Sequence, residues 1–114
     1  MSLHKEYTWH KIAESKDELI FASNDMLAVK AGNKNICLVK HKDVLFGCAV
    51  KCPHAGGIMN EGYVDPLGNI VCPIHRYRFN LVNGRSAEGY YLKTWPVEIR
   101  EDGVFVGIDK TSLF

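Results

Sequence analysis

Turn-forming residues interrupt this chain so often that only short runs are left between them, and those runs are rich in β-branched and apolar residues. Met26–Ala31 and residues 36–40 are apolar and joined by "GNKN", a hairpin-like turn. Residues 44–50 follow after "HKD". "DPLGN" separates Gly62-Tyr63-Val64 from Ile70-Val71. Residues 79–82 run into the turn dipeptide Asn83-Gly84. Near the end, Val97-Glu98-Ile99-Arg100 alternates apolar and polar, turns at Asp102-Gly103 and returns as Val104-Phe105-Val106, a hairpin pattern. Helical periodicity is weak; the best candidate is a short segment over 12–19, no more than one turn. Many short strands with frequent turns predict an all-β fold, an antiparallel sandwich or barrel.

The chain has 114 residues, which suits one domain. With 46% hydrophobic residues it can build a core, so disorder is excluded. A formal net charge of +1 and scattered basic residues give no footprint for nucleic acid. The longest apolar run, 44–50, is too short to cross a bilayer, and the first residues, "MSLHKEYTWHK", lack the apolar core of a secretory leader. The expected compartment is the reducing cytoplasm. There, cysteines serve more often as metal ligands, catalytic groups or buried thiols than as disulfides. No hydrolytic triad, phosphate loop or nicotinamide fingerprint is found, so no catalytic residues are assigned.

Four residues stand apart. "CPHAGG" holds Cys52 and His54; "CPIH" holds Cys72 and His75. Two thiols and two imidazoles can hold a metal centre, and close spacing lets one loop offer both groups. Pro53 and Pro73 stiffen the loops. Gly56 and Gly57 permit close backbone approach, which can aim N–H groups at sulfur. A tetrahedral zinc could take all four, although zinc fingers usually group the cysteines together and the histidines together. A [2Fe–2S] cluster with mixed ligands accounts better for one cysteine and one histidine on each loop.

The paired boxes resemble the cluster-binding boxes of Rieske [2Fe–2S] proteins. The likeness extends to Trp9, the hairpin over 36–50, Phe79 and Gly84, and "LKTWPVEIREDGVFV". It implies a single Rieske-type domain of stacked antiparallel sheets over residues 1–114, with a small cluster-binding subdomain at the hairpin tips near 50–85. It also implies one [2Fe–2S] cluster, with Cys52 and Cys72 on the inner iron through sulfur, and His54 and His75 on the outer iron through Nδ1.

Respiratory Rieske subunits carry a membrane anchor and an extra disulfide between the boxes; the corresponding positions here are Gly57 and Ile74. Oxygenase α-subunits need a large catalytic domain that 114 residues cannot hold. The resemblance therefore implies a soluble ferredoxin carrying one electron, with a flavin reductase as donor and an oxygenase or reductase as acceptor. Such a chain is a carrier component of an oxidoreductase system. Alternatives are a small Rieske-like subunit of a nitrite reductase or other complex, and a zinc-binding or redox-sensing module. Without the disulfide, the potential is expected toward the low end of roughly −150 to +300 mV.

Two departures fall where a partner would bind. Arg76 follows His75 where the family usually has Gly, and the covering loop over 86–93 has no proline, leaving Gly89, Tyr90 and Tyr91 to serve instead. Cys37 and Cys48 are expected to be buried thiols, and His4, His10 and His41 surface residues. Trp9, Trp95 and Phe46 are expected in the core. Tyr77 either bonds near the cluster or packs, and the Arg76/Arg78 pair is a solvated edge that could meet a partner.

Overall fold

A computed structural model of the chain describes residues 6–54 and 56–109; His4 lies outside them. The hairpins read from the sequence are present: β2 (Met26–Ala31), β3 (Lys34–His41) and β4 (Val44–Ala49) form an antiparallel meander in register Ala28↔Cys37↔Cys48. Four consecutive β3 residues, Ile36 to Val39, are fully buried. A continuous apolar run of this kind belongs to a strand covered on both faces. Alternate side chains serve different cores: Cys37 and Val39 point into one, Ile36 into the other.

β4 also pairs with β8 (Thr94–Trp95), completing a four-stranded sheet in the order β2-β3-β4-β8. A second sheet, β1-β10-β9, is built from β1 (Tyr7–Ala13), β9 (Val97–Arg100) and β10 (Gly103–Asp109). A third, smaller sheet joins β5 (Tyr63–Val64), β6 (Asn69–Val71) and β7 (Arg78–Asn80). All strand pairings among the described residues are antiparallel, and the fold is all-β. Among the described residues no helix is long and apolar enough to cross a membrane.

Ala31, Ile36, Trp95 and Val106 pack together from the two larger sheets. The other core joins Met26, Cys37, Val39 and Cys48 to Ile70, Phe79, Leu81 and Leu92. Cys52 and Cys72 belong to this second cluster, so the boxes are rooted in the hydrophobic core rather than set on free loops.

The structure corrects several expectations. The segment over 12–19 is not a helix: Ile12 and Ala13 end β1, and only Lys16–Glu18 forms a single 3-10 turn. The register slips between Lys11 and Ala13, so Ile12 sits in a bulge. That extra residue breaks the alternation that would have marked β1 as a strand. The strand expected over 79–82 is Arg78–Asn80 instead. The Asn80 side chain accepts the N–H groups of Val82 and Asn83 and turns the chain there. Cys37, Cys48 and Trp95 are in the core as expected. Phe46 is half-buried against it. Trp9 is also half-buried, flanked by the Arg100 guanidinium at 4.9 Å. His10 and His41 are half-buried rather than freely exposed; the His10 ring lies against Gly32.

Asp65 fastens the small sheet. Its carboxylate accepts the backbone N–H groups of Leu67 and Asn69, the Asn69 side-chain amide at 3.1 Å and Arg78 Nε at 3.1 Å. Burial pushes its pKa up, but the bonds from Asn69, Leu67 and Arg78 outweigh that and hold it below the ordinary value. A depressed carboxylate pKa stabilises the fold above the unfolded-state pKa of about 4 and loses that contribution as pH falls through the folded value. Asp65→Asn is therefore expected to lower stability at pH 7 by about 1–3 kcal/mol. In urea unfolding from pH 7 to pH 3, its gap from the parent should shrink as the parent loses the same bonds.

Candidate metal centre

Cys52 and His54 lie between β4 and β5, in a loop closed by the isolated bridge Lys51↔Ile58, and Cys72 and His75 lie in the turn of the β6–β7 hairpin. Each box is closed in the same way. Cys52 N–H donates to Gly57 O at 2.7 Å and Gly56 N–H to Cys52 O at 3.0 Å. Cys72 N–H donates to Tyr77 O at 2.9 Å and Arg76 N–H to Cys72 O at 3.0 Å. The fifth residue of each turn is left-handed: Gly56 at φ 71° and Arg76 at φ 60°. Arg76 thus stands where its twin loop has glycine, in a region that costs a non-glycine residue roughly 1 kcal/mol.

The twin turns bring like donors together. His54 Nδ1 and His75 Nδ1 lie 3.4 Å apart. The Cys52 and Cys72 thiols are neighbours and both are buried. Burial and the adjacent Cys52 push the Cys72 thiol up, while the N–H groups of Ile74 and His75, aimed at the same sulfur, pull it down. Such N–H groups stabilise thiolate charge. Among the described residues no three His, Cys, Asp or Glu side chains gather round one point. The donors lie as two pairs, one of sulfur and one of nitrogen.

Gly57 and Ile74 face each other. A Cβ on Gly57 would lie 2.5 Å from Ile74 Cγ1 and 3.0 Å from Cys72 Sγ. The covering loop is closed by Ser86, whose hydroxyl accepts the Tyr90 N–H at 3.0 Å. It sets Tyr90 beside His54, ring centroids 5.0 Å apart. Tyr91 is 52% exposed. Tyr77 packs, stacked on His54 at 4.1 Å and 29°. Arg76 and Arg78 are both exposed, and Arg78 is tied back to Asp65.

Cys37 and Cys48 form a separate pair. They are register partners across β3 and β4, and neither is exposed. The Cys37 hydrogen bond and burial push the Cys48 thiol well up, the condition of an inert buried thiol.

An antiparallel β-protein offering two thiols and two imidazoles from twin loops has the donors of a mixed-ligand iron–sulfur centre. The family whose profile matches is the Rieske [2Fe-2S] domain, over residues 8–97, and the chain belongs to it, with one [2Fe–2S] cluster as cofactor. It is 26% identical over 87 residues to the ferredoxin component of a naphthalene 1,2-dioxygenase system from Pseudomonas aeruginosa, covering 74% of this chain and 83% of that one. It is 24% identical over 110 residues to cholesterol 7-desaturase from Bombyx mori, which takes in 89% of this chain but only 24% of the desaturase. The ferredoxin of carbazole 1,9a-dioxygenase from Nocardioides aromaticivorans IC177 shares the fold, with TM-score 0.72, 17% identity, and coverage of 92% of this chain and 99% of that one.

The glycines give a paired test. Gly56→Ala meets no atom within 4 Å and carries only the conformational cost of about 1 kcal/mol, so iron content should hold. Gly57→Ala drives a methyl into Ile74 and the Cys72 sulfur, and iron content should fall sharply. Arg76→Gly, which removes the left-handed strain, should match or exceed the parent's thermal midpoint.

Proposed function

We propose that this protein is an electron carrier in which Cys52 and Cys72 hold the inner iron through sulfur, and His54 and His75 hold the outer iron through Nδ1. The observation that carries this reading is the 3.4 Å approach of the two Nδ1 atoms, with the two thiols paired and buried. The centre, when bound, accepts and returns one electron. Around it, residues 50–85 act as a cluster-binding subdomain within one domain.

The side chains divide the work. Burial of Cys52 and Cys72 in the core excludes water from the sulfur side. The N–H groups of Ile74 and His75 offset charge on Cys72. His75 is exposed and Ile74 is 54% exposed, so the imidazole side faces a docking protein. The carrier takes its electron from a flavin reductase and delivers it to a terminal oxygenase or similar acceptor, a role supported by the relative that is a dioxygenase ferredoxin component.

Iron and labile-sulfide analysis, with visible and EPR spectra of the reduced protein, tests the ligand set. His54→Ala and His75→Ala should each abolish the normal spectrum, whereas Cys37→Ser should leave iron content unchanged. A His75→Ala protein with the parental spectrum overturns the assignment, as does stoichiometric zinc in colourless parent protein.

A further inference from the structure

The two histidines are not equivalent. His75 is exposed, between Ile74 and the exposed Arg76. His54 is half-buried, and two tyrosines enclose it. Tyr77 stacks on its ring at 4.1 Å, and Tyr90 meets it at 5.0 Å and 61°. The tyrosines also lie against each other, centroids 5.5 Å apart at 33°. His75 makes a looser contact with Tyr77, at 6.4 Å.

Both tyrosines are held by their backbones. Tyr77 O accepts the Cys72 N–H, so the turn that presents the second box also sets Tyr77. Tyr90 N–H donates to Ser86 Oγ at 3.0 Å, and Tyr90 O accepts the Ser86 N–H at 3.1 Å. A ring wedged between two such partners cannot turn freely, and its covered face is closed to water.

We propose that Tyr77 and Tyr90 are positioning residues for His54: they fix its imidazole and wall it off, so that His75 is the ligand edge a redox partner meets. This rests on the reading of both histidines as iron ligands. It assigns different tasks to the two box histidines, and it gives the proline-free loop a function through Tyr90.

The test is diethyl pyrocarbonate labelling of the cluster-loaded protein, followed residue by residue by peptide mass mapping. In the parent, His75 should be modified several-fold faster than His54. Tyr90→Ala and Tyr77→Leu should each speed His54 labelling several-fold and leave His75 unchanged; Tyr90→Phe and Tyr77→Phe should behave as the parent. Equal labelling of the two histidines in the parent overturns the proposal, and so does continued protection of His54 in the Ala and Leu variants. If one truncated variant loads no iron, the parent ratio and the remaining variants still decide. Failure of the ligand reading is recognised separately, by iron and sulfide that persist in the His54→Ala/His75→Ala protein.

Discussion

The structure depends on one backbone device used twice. In each box the cysteine N–H reaches five residues ahead and its carbonyl accepts from four residues ahead, closing a tight turn with a left-handed residue at its end. The turn fixes where the cysteine sulfur and the histidine ring emerge. Placing two such turns side by side then matches sulfur with sulfur and nitrogen with nitrogen. The cysteines open their turns at the same position, while His54 is the third residue of its turn and His75 the fourth.

Rigid turns alone would not hold the two boxes in register. Cys52 and Cys72 are packed in the same cluster as Phe79, Ile70 and Met59, and Asp65 ties the turn before β6 to Arg78 on β7. Preorganisation of this kind matters for metal binding, because donors already gathered lose little freedom when the metal arrives. The same core takes in Cys37 and Cys48, where the hydrogen bond with Cys37 and burial push the Cys48 thiol well up.

Much of the fold was legible in the sequence. Strands β2, β3, β4, β9 and β10 were marked by β-rich runs between turn dipeptides, because a hairpin's turn chemistry and its alternation are both local. The misses have local causes too. The bulge at Ile12 erased the alternation of β1, and β8 has only two residues, too few to show any period. The Asn80 side-chain bonds stopped β7 earlier than its apolar residues suggested. The four box residues stood out because Cys and His at such spacing inside Pro- and Gly-containing turns have few other uses.

The sequence by itself determined the all-β class and marked out two Cys/His turns, since each is written in neighbouring residues. Tertiary structure alone decided that His54 meets His75 and Cys52 meets Cys72, that Gly57 faces Ile74, and that Tyr77 and Tyr90 enclose His54 while His75 stays open. Those relations join residues on different hairpins. No local pattern encodes them, because they exist only once the sheets have packed and brought the loops together.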